Sequence, residues 1–448
     1  MKRNWFEKKI LILGLSKSGA SAAKYLNSKG AECYVTEAKL ENEKNHDLVV
    51  ELQELGIKVE TGGHSDEFLE EAYMAITSPG IPPHSEIFSR LKERNTPVIS
   101  EVELAYLETY TPFVAITGTN GKTTTTALIS HILSQKYLAP ACGNIGVPPT
   151  SLLDEKNDYL VCEVSSYQLE MSPTFKPQIA CFLNFTPDHI DWHQGLDNYF
   201  KAKASLFADH KRPAFAVFNA LDEKVFEFAK NYNDEKYFFG KEFEENCSYI
   251  KDDAIYFKRQ NEEKIIDLNE IPLVGQHNYE NVMCSVIVAM LIGQTALEVR
   301  EAIMSFKAVE HRIEYVAEFQ GKKFYNDSKA TNPEAANVAL TSFSGKSMTL
   351  IAGGRDKNTD LTEFCNLINQ NTNHVILIGE ASQRFNENLL KNGFSNIIFA
   401  DSLQAAIDKS LELDNEIVLL SPACASFDMF DSYEHRGEVF KQYVLSKL

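Results

Sequence analysis

A chain of 448 residues is too long for one ordinary hydrophobic core, so two or three domains are expected. With 44% apolar and 24% charged residues it reads as globular, and every apolar run is cut by Lys, Asp, Glu or Gly before it could span a bilayer. A net charge of −19 argues against nucleic acid or an anionic membrane as partner. Any anionic substrate must therefore be met by local Lys, Arg, helix N-termini or metal ions. The eight Cys include no C-x-x-C pair, which argues against a zinc ribbon or a disulfide framework. Cys33, Cys162 and Cys181 sit in apolar, strand-like runs, where Cys acts as a small hydrophobe. The basic N-terminus leads straight into a strand pattern without a signal-peptide cleavage site, so a cytoplasmic location is expected.

Apolar strand patterns alternate with helix-length segments almost throughout, the signature of α/β layers around parallel sheets. The first unit opens with a strand at Lys9–Leu13, a turn at Gly14–Gly19 and a helix to Lys29. Strands follow at Glu32–Thr36 and Met74–Thr77. The second opens with a strand at Phe113–Ile116, then GTNGKTTTT and a helix to about Ser134. Buried strands follow at Tyr159–Val164, Ile179–Asn184 and Phe215–Asn219. The stretch Asp222–Glu270 reads as charged and irregular, a peripheral sheet or excursion, before helical periodicity returns over Asn278–Met290. The third unit follows Glu310-His311-Arg312, with strands at Met348–Ala352, Val375–Ile378, Ile397–Phe399 and Ile417–Leu420.

Gly118, Thr119, Asn120, Gly121, Lys122, Thr123 and Thr124 lie between a hydrophobic strand and a helix, the setting of a phosphate loop. Glycines let backbone N–H groups approach phosphate oxygens, and the helix N-terminus adds partial positive charge. Lys122 is placed for the β- and γ-phosphates and the Thr123 hydroxyl for Mg²⁺. The spacing departs from the eight-residue form, because Ile116 stands where its first Gly would be. An ordinary Gly-containing strand–helix turn is the competing reading. The earlier turn, Gly14 to Gly19, suits either a phosphate-bearing ligand or a purely structural role, with Glu37 at the end of the next strand in place for a ribose or base.

Glu163 ends a strand, where a carboxylate faces the ligand crevice of a parallel sheet. Asp188-His189-Ile190-Asp191-Trp192-His193 follows another buried strand and alone would suit a hydrolytic metal centre. Beside a phosphate loop, Glu163 and His189 more readily complete a Mg²⁺ site. On composition Lys201 and Lys203 are a solvated helix face.

Together these strings resemble one family, the Mur ligases that build the peptide of peptidoglycan, along with the related folylpolyglutamate synthases. The shared pieces are TGTNGKTT, the Glu163 strand end, Asn184 to Asp191, Gly275-Gln276-His277-Asn278 and His311-Arg312. Similarity to the D-glutamate-adding ligases of the family rests on longer strings. These are Ser78 to Ile81, Gly143 to Gly146, Glu163 to Gln168, Asn326 to Asn332, Gly353 to Lys357 and Leu420 to Asp428, spread over nearly the whole chain.

The resemblance implies three α/β domains: a Rossmann-like N-terminal domain (1–100), a central phosphate-loop ATPase-like parallel sheet (101–308) and a Rossmann-like C-terminal domain (309–448). It implies that ATP activates the alanyl carboxylate of UDP-N-acetylmuramoyl-L-alanine as an acyl phosphate, which D-glutamate then attacks. Two Mg²⁺ ions are implied, the first held by Thr123 and Glu163, the second by His189 and a carbamylated Lys203, whose amine must be neutral to react. Asn281, Arg312 and Asp327 match positions that hold the nucleotide, while Lys329 and Thr331 match the part of the third domain that closes on the reaction centre. Lys357, Ser426 and Phe427 match the D-glutamate pocket, and Tyr433 stands where the family carries Phe. Leu15, Ser16, Glu37, Ser78 and Gly80 match the UDP-binding region, and Asn144 a contact to the muramoyl group. A monomer without nucleic-acid or membrane partners is expected. The competing readings are another Mur ligase or folylpolyglutamate synthase, a nicotinamide enzyme using the Gly14–Gly19 turn, and a phosphate-loop switch that ligates nothing.

Overall fold

The computed structural model describes residues 3–43, 45–188, 190–356 and 358–448, apart from the Asp191 side chain. The chain forms two compact units, Met1–Glu270 with Glu280–Met304, and Ile271–Tyr279 with Ser305–Leu448.

The first unit contains two sheets. The N-terminal sheet has the order β3-β2-β1-β4-β5, formed by β1 (Lys9–Leu13), β2 (Glu32–Glu37), β3 (Lys58–Thr61), β4 (Met74–Thr77) and β5 (Val98–Ser100), all parallel. Ile10 to Leu13 are all fully buried, because helices cover both faces of such a sheet. Each such side chain contributes about 1.5–3 kcal/mol on leaving water. Helix Lys17–Ser28 follows β1, its first turn capped by Ser16, whose hydroxyl accepts from Gly19 N at 3.2 Å.

The central sheet has nine strands, in the order β14-β13-β12-β11-β10-β9-β6-β8-β7. They are β6 (Phe113–Thr117), β7 (Ala141–Gly143), β8 (Leu160–Glu163), β9 (Ile179–Phe182), β10 (Phe215–Asn219), β11 (Lys236–Phe239), β12 (Cys247–Lys251), β13 (Ala254–Lys258) and β14 (Glu262–Asp267). The strands from β7 across to β12 run parallel, and β13 and β14 add an antiparallel meander at one edge. Residues 222–270, read as charged and irregular, a peripheral sheet or excursion, form helix Glu223–Lys230 and four strands at one end of the central sheet, so the peripheral sheet is the alternative that holds. Their inward positions are aromatic or aliphatic (Tyr237, Phe239, Tyr249, Ile255, Phe257), while the charge that suggested irregularity faces outward.

The second unit holds a six-stranded sheet ordered β15-β16-β20-β17-β18-β19. Its strands are β15 (Glu314–Phe319), β16 (Lys322–Asn326), β17 (Met348–Gly353), β18 (His374–Ile378), β19 (Ile397–Phe399) and β20 (Ile417–Leu420), parallel except for the β15–β16 hairpin. The three-sheet α/β architecture is the one expected. Among the described residues no helix is long and apolar enough to cross a membrane, and all eight cysteines are free and buried.

Candidate active site

In open α/β sheets, ligands bind beyond the carboxyl ends of the strands, where the strand order reverses. In the central sheet β6 is flanked by β8 and β9, and the loops leaving β6 and β9 are hydrogen-bonded to each other. The loop after β6 is GTNG, and helix Lys122–Leu133 begins on Gly121, whose φ of +79° is left-handed. A Cβ at Gly121 would lie 2.5 Å from Asn281 Oδ1, so glycine is required by space as well as by backbone. Asn281 Oδ1 also accepts from Thr125 Oγ1 at 3.0 Å, which pins this helix to the residue expected at the nucleotide.

Asn184, just beyond β9, braces the loop from the other side. Its Oδ1 accepts from Thr119 N (3.1 Å) and Asn120 N (2.8 Å), and its Nδ2 donates to Asn120 O (3.1 Å). Thr119 Oγ1 lies 3.2 Å from the Tyr199 hydroxyl. Sequence reasoning quoted Asn184 only as part of a motif and gave Tyr199 no role. A polar residue two positions past a buried strand was the available signal for Asn184.

Two ammonium groups converge on the loop. Lys122 Nζ donates to Gly118 O (2.9 Å) and Thr119 O (2.7 Å), and Lys203 Nζ donates to the same Gly118 O at 2.8 Å. Lys203 is 1% exposed and lies 4.6 Å above the Tyr199 ring, whereas Lys201 is exposed. The solvated face expected from composition therefore holds for Lys201 and fails for Lys203, because helix Leu196–Ala204 turns only one of them inward. Burial, aided by the field of Lys122, pushes Lys203 well below the ordinary lysine value, against the opposing pull of Asp188 and Glu163.

Glu163 ends β8 in register with Ile116. It is buried; Oε1 accepts from Asn144 Nδ2 at 2.9 Å, while Oε2 is buried without a hydrogen-bond partner. An orphaned carboxylate oxygen is costly unless something positive meets it. With the buried Thr123 at the start of the loop helix, it fits an oxygen-seeking cation such as Mg²⁺. His189, the expected ligand of a second ion, lies outside the described residues.

The N-terminal sheet obeys the same rule. A cleft of about 480 Å³ opens beyond β1, β2 and β4, and it brings together all five expected UDP-region residues, Leu15, Ser16, Glu37, Ser78 and Gly80. The Glu37 carboxylate accepts from Leu15 N (2.9 Å) and Lys39 N (3.0 Å), and the Ser16 and Ser78 hydroxyls lie 2.8 Å apart. Asn144, expected at the muramoyl group, donates from Nδ2 to Glu163 Oε1 in the central site.

In the second unit the loops after β16 and β20 carry Asp327, Lys329, Thr331, Ser426 and Phe427, while Arg312 precedes β15 and Tyr433 opens helix Tyr433–Leu445. Asp327 is buried; its carboxylate accepts from Ile313 N (3.2 Å) and Ser421 Oγ (2.7 Å), and burial pushes it up to about 7. The charge of Arg312, on the turn that precedes β15, pulls Asp327 the other way. Lys329 Nζ lies 5.6 Å from the Tyr433 ring, and Thr331 N donates to Lys329 O at 2.9 Å. Ser426 is buried and Phe427 exposed, and Lys357 lies outside the described residues.

Three domain models match the chain: a Mur ligase MurD-like N-terminal domain over 8–100, a Mur ligase middle domain over 116–289 and a Mur ligase glutamate ligase domain over 311–424. A protein named UDP-N-acetylmuramoylalanine–D-glutamate ligase from Thermoanaerobacter pseudethanolicus is 38% identical to this chain, covering 98% of each. Its namesake from Koribacter versatilis is also 38% identical, covering 98% of this chain and 97% of its own. Among solved structures, UDP-N-acetylmuramate-alanine ligase from Thermotoga maritima superposes with a TM-score of 0.61 at 19% identity, covering 98% of this chain and all of its own. A pseudomurein peptide ligase from Methanothermus fervidus does so at 0.57 and 17%, with the same coverage, and both likenesses concern the fold alone.

Proposed function

Because this chain belongs to the Mur ligase family, we propose that it joins D-glutamate to UDP-N-acetylmuramoyl-L-alanine with ATP, forming one amide bond of a peptidoglycan precursor. The observation that carries the reading is the convergence of Lys122 and Lys203 on one loop carbonyl beside the orphaned Glu163 oxygen. It is a site suited to a polyphosphate and a divalent cation.

A carboxylate is a poor acyl donor, so it must first be activated. The alanyl carboxylate oxygen attacks the γ-phosphorus, an O–P bond forms, and the bond to the β-phosphate oxygen breaks to release ADP. The amine of D-glutamate then attacks the acyl carbon; the C–N bond forms, phosphate leaves and the amine loses a proton. Two anions meet in the first step. Lys122 and the loop N–H groups offset that repulsion, and being held in place beforehand they need no reorganisation as the charge develops. Mg²⁺, when bound, supplies further neutralising charge, and Thr123 and Glu163 are the residues that would hold it.

A second ion held by His189 and a carbamylated Lys203 belongs to the same reading. Carbon dioxide adds to a neutral amine with loss of one proton, and the depressed basicity of Lys203 supports that state. Asn281, Arg312 and Asp327 are assigned to the nucleotide and Lys329 to the reacting groups. Thr331, Lys357, Ser426, Phe427 and Tyr433 are assigned to D-glutamate. Leu15, Ser16, Glu37, Ser78, Gly80 and Asn144 are assigned to the UDP-muramoyl substrate. The functional division follows at 1–100, 101–308 and 309–448, in a cytoplasmic monomer.

Isotope transfer tests the chemistry. With ¹⁸O in the alanyl carboxylate, one label should appear in the released inorganic phosphate. Product formed with unlabelled phosphate would rule out the acyl phosphate.

A further inference from the structure

Helix Tyr433–Leu445 carries Arg436 into the interior of the second unit, where only 1% of it is exposed. A guanidinium at that depth is rare and must be met by acceptors. Nε donates to Ser328 Oγ at 2.9 Å, and Nη2 donates to Ser328 O at 2.8 Å and Cys424 O at 3.1 Å. Ser328 Oγ in turn donates to Tyr433 O at 2.8 Å, one helical turn back from the arginine. One side chain thus joins the loop after β16, the loop after β20 and the start of this helix.

The loop after β17 completes the cluster. A Cβ on Gly354, whose φ is +137°, would lie 3.2 Å from Arg436 Nη1 and 2.4 Å from Ala425 O. Arg355 N donates to that same Ala425 O at 2.9 Å, and Gly353 N donates to Pro422 O at 2.9 Å. Arg436 therefore packs directly against a glycine that admits no side chain. Its three hydrogen bonds go to neutral acceptors, and Nη1 is buried without a partner. Burial lowers the group to about 10, so it keeps its charge at neutral pH. The nearby carboxylates of Asp428 and Asp327 act on that charge without forming one of these three bonds.

We propose that Arg436 is the positioning residue of the acidic-amino-acid pocket, fixing the three loops that carry Lys329 and Thr331, the 353–356 segment, and Ser426. The proposal rests on the reading of those loops as the D-glutamate site. Arginine suits the task because its planar fork reaches two loops at once, which the single ammonium of lysine does not. Its partly uncompensated charge also favours a dicarboxylic amino acid over a neutral one, since the potential inside a low-dielectric pocket is poorly screened.

The test uses the full-length enzyme with Arg436→Lys and Ser328→Ala, measuring KM for D-glutamate, ATP and the UDP-muramoyl substrate beside the melting temperature. Arg436→Lys keeps the charge and loses the fork, so KM for D-glutamate should rise about tenfold or more while that for ATP stays within about twofold. Ser328→Ala removes one hydroxyl from the same junction and should shift the same constant in the same direction by about threefold; it carries the test if the lysine variant does not fold. An unchanged KM for D-glutamate overturns the proposal. So does a rise in all three constants together with a fall in melting temperature, the pattern of a merely structural residue. A wild-type enzyme that does not use D-glutamate at all would overturn the ligase reading itself, and that result is seen before any variant is made.

Discussion

Two lysines that donate to one carbonyl oxygen repel each other unless one is neutral or an anion joins them. Lys122 and Lys203 stand in that relation at Gly118, and the buried partner is the one whose basicity falls. Lys203→Ala should reduce turnover by about 10²-fold or more, and added formate or acetate should restore part of it by standing in for the carbamate. Lys122→Ala should fall as far without such rescue, because its role is a positive charge. Steady-state phosphate release measures both; a fully active Lys203→Ala variant would return the residue to the solvated face that its composition suggests. At this scale the loop residues were legible because Gly, Lys and Thr at that spacing have few other uses. Asn184 and Arg436 were not, since each acts through neighbours that folding, not spacing, supplies.

Strand and helix junctions decide how rigid the site is. Asn184 holds the N–H groups of Thr119 and Asn120, so Asn184→Ala should loosen the phosphate loop and raise KM for ATP by about tenfold, with less effect on the UDP-substrate constant. Helix Glu101–Glu108 links the two sheets of the first unit, and Glu101 Oε1 accepts from Thr150 N (2.7 Å) and Thr150 Oγ1 (2.6 Å). Burial pushes Glu101 from the ordinary glutamate value of 4.5 up to about 7. A carboxyl raised by folding keeps its proton longer in the native state, so its contribution is complete below about pH 4.5 and is lost as pH rises through 7. Glu101→Gln should remove that dependence. The denaturant stability of the variant relative to wild type should improve between pH 5 and 8, and parallel curves would contradict the assignment. The elements that sequence reading passed over, β3, β5, β7, β15 and β16, are short or sit near sheet edges. Glu314–Phe319 and Lys58–Thr61 keep polar residues on an uncovered side, so they lack the continuous apolar run that marked β1, β6 and β17.

Across the whole molecule the same rule recurs three times: each sheet presents its candidate residues beyond the carboxyl ends of its parallel strands. The layered α/β organisation was legible because buried parallel strands read as unbroken apolar runs separated by helix-length segments. The peripheral sheet was legible only as one of two alternatives, because outward charge masks the alternation that marks its strands. The central claim is ligation of one amino acid, and a phosphate-release assay with ATP, Mg²⁺ and UDP-N-acetylmuramoyl-L-alanine tests it over D-glutamate, L-alanine, meso-diaminopimelate and a folate acceptor system. Phosphate release that requires both the muramoyl nucleotide and D-glutamate is the predicted result. Release driven by another of these acceptors, or slow nucleotide hydrolysis indifferent to all of them, would contradict it.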